Sequence, residues 1–442
     1  MQQLSGHDAT FLAMETGNAC GHSGAVAMLA PGRSLTRDAV AAEIGARLPA
    51  VLCRRLATVP LGLDLPYWAA AIPDLDRHVR DVTLPAGSGP PELAAFVAEQ
   101  HAQRLDRSRP LWELTLVSGL SDQSDQAQQA LYLKIHHAMV DGVGGNDLLL
   151  ALFGPDPAPA APPHLSSPSG RELLARSASS VAGRAGRAVR TGAGVVRRLP
   201  QVHSNVLRRA PATPMDGPLG PNRRLALTAL ELTEIRKVRA ALGLSVNDVA
   251  VAVTAGALRL WLGEAGRLPV EPLLAAVPMS LRAEDSGAGN VFTLLVAALP
   301  TDVADPVARA VATAESIVAA RAAFGSLPPT TMTDLTALAL PLLAGPGVGL
   351  STRLGLLSRL RPFNLMLSTV PGPREPLACA GVPITAYHPI SQVTEGQRLN
   401  VTMFGYDGRL HAGVLADADL GLDVNRLAGL LESELAALVA AI

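Results

Sequence analysis

A stretch rich in proline, alanine and serine divides the 442-residue chain into two parts. It begins with GPDPAPAAPPHLSSPSG at residues 154–170, and RRAPATPMDGPLGPN at 208–222 has a similar composition. Neither sequence can hold a packed helix or strand. We therefore predict an N-terminal domain over residues 1–153, a linker over 154–222 and a C-terminal domain over 223–442, in line with the two or three domains that this length suggests.

The linker carries a series of arginines with Glu172 as the only nearby acid: Arg171, Arg176, Arg184, Arg187, Arg190, Arg197 and Arg198. A basic helix lying on anionic lipid is one interpretation, although the interspersed glycines weaken a helix. A solvated or disordered connector is the simpler interpretation. Both stay open at this point.

Both parts mix strand and helix patterns, which predicts an α/β (α+β) fold class. In the first part we predict strands at 24–30, 111–120 and 130–138 and a helix at 90–105. In the second part we predict a buried helix after Ser245, strands near 273–282, 290–300 and 364–370, a helix at 305–323, a hairpin around Asp407–Gly408 and an amphipathic C-terminal helix. Hydrophobic residues make up 48% of the chain but aromatics only 3%, so alanine, valine and leucine must build the interior.

Charge and cysteine usage narrow the functional classes. The net charge of -1 provides no general field for attracting nucleic acid, so no nucleic-acid partner is expected. Cys20, Cys53 and Cys379 are scattered, which fits neither a disulfide framework nor a cysteine zinc site and favours the cytoplasm. The N-terminus lacks a secretory-signal pattern, and the apolar window 335–350 is interrupted by two prolines, so no transmembrane helix is expected.

The sequence HHAMVDG lies between the strand pattern ALYLKIHHA and the helix pattern GNDLLLALF. Adjacent strand side chains point to opposite faces, so only one of His136 and His137 can reach a substrate cavity. A neutral imidazole there is a suitable general base, Asp141 is placed to anchor the loop, and Gly142 allows backbone that a side chain would obstruct. From the residues alone, a structural histidine pair remains open. A metal site is less favoured, and no GxSxG or P-loop signature is present.

HHAMVDG matches the HHxxxDG motif of the CoA-dependent acyltransferases with the chloramphenicol acetyltransferase-like fold. Across both parts, the chain also resembles bacterial wax ester synthase/acyl-CoA:diacylglycerol acyltransferases, in the usual order of their segments. The matching segments are LSGHDATFLAMET, SRPLWELTLVSGL, SVNDVAVAVTAGALRLWL, VPMSLR, GNVFTLLVAALPTDVADPVAR and STVPGPREPL.

The resemblance implies two chloramphenicol acetyltransferase-like domains, each a mixed sheet with flanking helices, around a central tunnel. It implies that His137 is the base for direct attack of a long-chain alcohol or diacylglycerol on acyl-CoA, which is a co-substrate, with no cofactor or metal. Ser368 or Thr369 is a candidate oxyanion donor, although ordinary hydroxyls at a strand end would look the same.

Other residues match further motifs of the family. Asn247 and Asp248 match its ND motif, for which simple helix capping together with Ser245 is the alternative interpretation. Arg282 is our choice of partner for Asp141. A third set, Pro110, Leu111 and Trp112, matches the PLW motif, which we interpret as packing that positions the neighbouring strand.

Two departures from the family pattern concern the acceptor. Thr369 replaces the usual asparagine before VPGP, and ACGH at 19–22 replaces a more typical TPMH and keeps only His22. They leave open an acyltransferase acting on a specialised-metabolite hydroxyl or amine. A non-catalytic lipid or acyl-carrier binding protein is less favoured because it would not need HHxxxDG. For the leading function we expect a cytoplasmic enzyme with a possible peripheral position on the inner membrane or on lipid droplets.

Overall fold

The computed structural model describes residues 2–4, 6–15, 17–60, 63–121, 126–140, 145–156, 169–177, 209–280, 292–325 and 361–442. The predictions made for Asp141, Gly142, Arg282, the window 335–350 and most of the linker fall outside these residues.

Helices of the described residues are numbered in chain order. They are α1 (Gly6–Met14), α2 (Arg37–Arg47), α3 (Leu75–His78), α4 (Pro90–His101), α5 (His137–Val140), α6 (Gly145–Phe153), α7 (170–177), α8 (Leu232–Leu242), α9 (Val246–Glu264), α10 (Pro306–Gly325) and α11 (Val424–Ala440).

Strands are numbered in the same way. They are β1 (Gln2–Gln3), β2 (His22–Leu29), β3 (Arg54–Ala57), β4 (Tyr67–Ala70), β5 (Val79–Ser88), β6 (Trp112–Ser121), β7 (Ala127–His136), β8 (Arg223–Glu231), β9 (Leu273–Ser280), β10 (Phe292–Leu299), β11 (Leu365–Val370), β12 (Ala378–Cys379), β13 (Val382–Ile390), β14 (Leu399–Tyr406) and β15 (Arg409–Asp417).

Two six-stranded mixed sheets form the framework, and a small sheet of order β1-β4-β3 accompanies them. The first large sheet has the order β12-β13-β2-β7-β6-β5, in which only β5 and β6 pair in parallel. The second has the order β10-β9-β11-β14-β15-β8, and its central strand β11 runs parallel to both β9 and β14. The predicted mixed α/β architecture is therefore confirmed.

The two sheets do not divide the chain at a single residue. Strands β12 and β13 follow residue 223 in sequence, yet β13 pairs with β2 and completes the first sheet. The domain boundaries at residues 153 and 222 stay a prediction. Strands β12 and β13 of the first sheet therefore come from the second part of the chain.

Most local predictions agree with the observed elements. Helix α9 begins after Ser245, whose side chain and that of Asp248 form a capping box, and the helix is buried on almost every side. Strands β14 and β15 are joined by the predicted turn at Asp407 and Gly408. Helix α4 ends at His101, earlier than predicted, where the buried Lys134 ammonium binds the carbonyl oxygens of Gln100 and Gln103.

Among the described residues, no single helix combines the length and apolar character needed to cross a membrane. Of the helix pairs in the described residues, one bent pair, α8 and α9, which meet at 103°, passes that test of length and composition when taken together.

Candidate active site

The HHAMVDG segment begins where strand β7 ends and a short helix follows. Strand β7 ends at His136 and α5 begins at His137, so the predicted strand-to-helix turn is confirmed. The backbone amide of His136 donates to Leu111 O at 2.9 Å, and that of His137 donates to Gly21 O at 2.9 Å. Two separate segments therefore hold the backbone of the two histidines.

His136 is a core residue with 1% of its surface exposed. Its Nδ1 accepts a hydrogen bond from the backbone amide of Ala138 at 3.1 Å, so in the neutral ring the proton lies on Nε2. Nε2 faces Oε1 of Glu15 at 3.4 Å, slightly longer than an ordinary hydrogen bond. Both nitrogens are thus directed at protein groups.

The carboxylate of Glu15 binds several partners at the base of the turn. It accepts from the Gly21 amide at 2.9 Å and from Arg107 Nε at 3.1 Å. Burial by itself would raise the pKa of Glu15, but His136, Gly21 and Arg107 outweigh it and lower the pKa to about 2. Glu15 is therefore ionised at neutral pH.

Gly21 lies against the same histidine. A methyl group in place of its α-hydrogen would come within 2.7 Å of His136 Nε2 and of the Phe11 carbonyl oxygen. The close approach of loop and imidazole therefore requires glycine.

His137 has different surroundings from His136, as strand alternation predicts. It is only partly buried, and its ring stacks on that of Phe11 with centroids 4.6 Å apart and planes at 13°. Of the two histidines, His137 is the one that solvent reaches.

The PLW segment, residues 110–112, lies next to the histidine turn. Leu111 donates its amide to Sδ of Met139 at 3.1 Å, in addition to accepting from His136. The indole of Trp112 is 1% exposed and donates to Leu52 O at 3.0 Å, while Pro110 is buried. Leu111 therefore contacts the turn directly, whereas Trp112 and Pro110 are buried next to it in the sequence.

Arg54 is a residue of this region that the sequence interpretation missed. Its Nη2 donates to the carbonyl oxygen of Met139 at 2.9 Å, and its guanidinium lies 4.3 Å from the centre of the Trp68 ring. Burial lowers the pKa of Arg54, and nearby Asp8 opposes that shift. Asp141, whose partner we had expected to be Arg282, begins the undescribed residues two positions after Met139.

Ser368 and Thr369 lie near the end of β11 and point to opposite faces of the second sheet. Thr369 shares the face of Leu365 and Leu367, which pack in the core beneath α9 and α11. Its hydroxyl is buried and has no hydrogen-bond partner among the described residues. Ser368 shares the other face with Val370 and is only partly buried.

The end of β11 is close to the histidine turn. Val370 packs against the hydrophobic cluster that contains Ala138 and Met139 of α5. Asn146, in the first turn of α6, donates from Nδ2 to Pro371 O at 2.7 Å. The structure therefore brings the end of β11 to the segment that follows the histidines.

Asn247 and Asp248 lie in the first turn of α9, which packs against β11. The Asp248 carboxylate accepts from the amide of Ser245 at 2.9 Å and from its hydroxyl at 2.6 Å. This is the capping arrangement that we considered for the ND motif. The partly buried Asn247 contributes no hydrogen bond to it.

His22 is fully buried and pairs with His136 across β2 and β7. Its Nε2 donates to the His101 carbonyl oxygen at 2.7 Å, and burial lowers the pKa of His22 well below its usual value. It is thus a core residue of the layer beneath α4. Within the described ranges, no group of three or more His, Cys, Asp or Glu side chains is arranged to hold a metal ion.

Comparison with known sequences decides the family. The family model "Wax ester synthase/diacylglycerol acyltransferase catalytic domain" matches residues 4–250, and the model "WS/DGAT C-terminal domain" matches residues 288–439. The chain belongs to the wax ester synthase/diacylglycerol acyltransferase (WS/DGAT) family. The O-acyltransferase WSD of Acinetobacter baylyi is 32% identical to it over 358 residues, which cover 78% of this chain and 76% of that relative.

Solved structures agree with the family assignment. The wax ester synthase/diacylglycerol acyltransferase from Marinobacter aquaeolei VT8 superposes with a TM-score of 0.73 at 26% identity, covering 99% of this WS/DGAT chain and 98% of the other. The first condensation domain of the CDA synthetase has a TM-score of 0.54 at 17% identity, covering 100% and 96% of the two chains, and shows a shared fold. The predicted family and fold class are both confirmed, and the chain is an acyltransferase of the WS/DGAT type.

Proposed function

We propose that this protein transfers a fatty acyl group from acyl-CoA to the hydroxyl of a long-chain alcohol or a diacylglycerol. Membership of the WS/DGAT family supports the reaction class. The observation that carries the assignment of roles is the contrast between the two histidines. His136 has both nitrogens directed at protein groups, whereas His137 is partly exposed beside it.

In the proposed reaction, the His137 imidazole takes the proton of the acceptor hydroxyl as its oxygen attacks the thioester carbonyl. The tetrahedral intermediate then collapses, the carbon–sulfur bond breaks, and the CoA thiolate leaves. The thiolate recovers a proton from the His137 imidazolium. The products are an ester and free CoA, no acyl-enzyme forms, and no cofactor takes part.

The remaining site residues take supporting roles in this proposal. His136 fixes the turn through Glu15 and Ala138, and Pro110 and Trp112 support it from the adjoining strand. Asp248 caps α9, and Asn247 lies beside it in the first turn of that helix. We retain the proposed pair of Asp141 with Arg282 and the role of Gly142 in the loop. These three residues lie outside the part of the chain that the structure describes.

Ser368 is the better of the two candidate donors to the oxyanion. It shares the sheet face of Val370, which packs toward the histidine turn, whereas the Thr369 hydroxyl points into the core beneath α9. One preorganised donor at an oxyanion typically lowers the activation barrier by about 3 kcal/mol.

The direct test is an acyl-transfer assay. Purified protein is given palmitoyl-CoA with either hexadecanol or diacylglycerol, and CoA release is followed together with the ester product. The proposed function requires release that depends on the acceptor. A His137→Ala variant should be slower by roughly 100-fold or more, because the hydroxyl then loses its base. His388→Ala, at another partly buried histidine on β13, is the matched control and should keep its turnover. Equal turnover of wild type and His137→Ala would show that His137 is not the base.

The second candidate is acyl transfer to a specialised-metabolite hydroxyl or amine. It is supported by Thr369, whose buried hydroxyl replaces an asparagine amide, and by the sequence ACGH before the first long strand. The same assay separates the candidates: no release with either lipid acceptor, but release with a small polyol or amine, would favour the second. Binding of acyl-CoA without CoA release in the presence of any of these acceptors would instead indicate a lipid-binding protein.

We propose that such an enzyme is cytoplasmic and lies on the inner membrane or on lipid droplets, because its acceptors are lipids. Sedimentation with anionic phospholipid vesicles tests this proposal. Protein that stays in the supernatant at low ionic strength would argue against it.

A further inference from the structure

Phe11 lies directly against the histidine to which we assign the proton transfer. Its ring projects from α1 and stacks on the His137 ring with centroids 4.6 Å apart and planes at 13°. Phe11 is partly buried, as is His137, and α1 packs against α5. One face of the imidazole is therefore covered by a π-system.

The charged and titratable groups around this contact come from several elements. On α1 and just after it, Asp8 is buried and Glu15 is ionised against His136 and Arg107. From the other side, Arg54 binds the Met139 carbonyl oxygen of α5. A substitution at Phe11 leaves these groups in place.

We propose that Phe11 is a positioning residue for the acyl transfer: its ring holds the His137 imidazole at a fixed tilt and stabilises the imidazolium that forms as the acceptor hydroxyl is deprotonated. This inference rests on the proposed function, in which His137 is the base. A cation over the face of an aromatic ring is attracted by the electron density of that face, whereas a neutral ring gains less. The stack therefore favours the protonated state more than the neutral one.

The sign of the effect follows from this difference. With the phenyl ring present, the pKa of His137 is higher than it would be without it. Phe11→Leu keeps apolar bulk but removes the π face, so the pKa of His137 should fall by about half a unit to one unit. The acidic limb of the pH profile of kcat/KM should move to lower pH by the same amount. The plateau should fall about two- to threefold, because a weaker base takes the proton less readily and the proton is only partly transferred in the transition state.

Two further variants complete the experiment. Phe11→Tyr retains the stacked ring and should restore both the limb and most of the plateau. Phe96→Leu makes the same replacement at a partly buried phenylalanine of α4 that packs against a different hydrophobic cluster, and it should leave the profile unchanged. A role limited to packing would lower the plateau in Phe11→Leu without moving the limb, and that result would overturn the proposal.

Titration of His137 by NMR of the imidazole carbons, assigned with His137→Ala, separates this inference from the proposed function. If the protein shows no turnover but the pKa of His137 still falls in Phe11→Leu, the stacking inference survives and the assigned reaction fails. If turnover is normal and neither the NMR pKa nor the limb moves, the reaction stands and the role of Phe11 is wrong.

Discussion

Glu15 is the ionised residue that faces His136 at the base of the turn. Its side chain is nearly inaccessible to solvent, with 2% exposed, and it still carries a negative charge because His136, the Gly21 amide and Arg107 all face it. An ionised carboxylate opposite Nε2 favours the tautomer with the proton on that nitrogen. His136 therefore accepts a hydrogen bond at Nδ1 and turns Nε2 toward the Glu15 carboxylate.

Replacing this carboxylate should make stability depend on pH. The folded pKa of Glu15 is about 2, below its usual value of 4.5, so its stabilising effect is full above about pH 4.5 and is lost as pH falls toward 2. Glu15→Gln should therefore lower the free energy of unfolding by about 2 kcal/mol near neutral pH. The gap between the variant and the wild type should narrow in urea titrations carried from neutral to acid pH. Glu99→Gln, at an exposed position of α4, is the control, and a gap that stays constant with pH would contradict the linkage.

The sequence could predict the histidines of this site but not the residues that hold them. HHAMVDG is a local pattern, and the apolar residues before it predict its position at the end of a strand. Glu15 and Arg54 reach the turn only through long-range packing of α1 and β3, and an isolated Glu or Arg in a sequence has no periodicity that reports such a contact. The resemblance to the family included Glu15 within LSGHDATFLAMET without giving it a role.

At the scale of elements, strand alternation separates two neighbouring hydroxyls that the sequence leaves equivalent. Strand β11 pairs in parallel with β14, so Thr369 lies beside Met403 of the core, whereas Val370 lies beside Phe404 of the cluster beneath the turn. Ser368 and Val370 therefore face the first part of the chain, and Thr369 faces the helices.

This alternation gives a matched pair of variants. If Ser368 donates to the oxyanion, Ser368→Ala should lower kcat by about 100-fold with little change in the KM for acyl-CoA. Thr369→Val keeps shape and removes a buried hydroxyl that has no hydrogen-bond partner in the part of the chain that the structure describes, so turnover should be preserved and stability unchanged or slightly raised. The opposite ranking in steady-state kinetics would transfer the donor role to Thr369.

Elements with local signals were predictable, and those that depend on distant partners were not. The capping box at Ser245 and the Asp407–Gly408 turn are fixed by residues a few positions apart, and both were located from sequence. Strand β13 was not predicted from the sequence, and its pairing with β2 joins residues from opposite ends of the chain. Lys134 likewise gave no sign within its strand pattern that it would bind the C-terminal carbonyl oxygens of α4.

At the scale of the whole molecule, the two large sheets share one layer of side chains. A single hydrophobic cluster combines Val26, Val97 and Tyr132 from the first part with Leu225 and Leu415 from the second. Helix α4 packs against β8, the first strand of the second part. We call this packing between the two parts the joint. The site at the turn therefore depends on the joint as well as on its own elements.

Arg223 is the polar centre of that joint, and its removal is the sharpest test of it. The guanidinium is almost fully buried, donates to Gly220 O at 2.7 Å and Asn222 O at 2.9 Å, and reaches across to the carbonyl oxygen of Asn18. Arg223→Met would leave all three carbonyl oxygens without this donor, so the free energy of unfolding should fall by about 2–3 kcal/mol.

Arg224 is the matched control, because it is the next residue of β8 and points to solvent. Arg224→Met should change stability by less than about 0.5 kcal/mol. Both variants are compared by urea unfolding, followed by far-UV circular dichroism and by tryptophan fluorescence. Because the shared cluster joins the two sheets, the two probes should report one transition in the wild type. Equal midpoints for the two variants would mean that the buried guanidinium does not hold the parts together, and the shared apolar layer alone would then account for the joint.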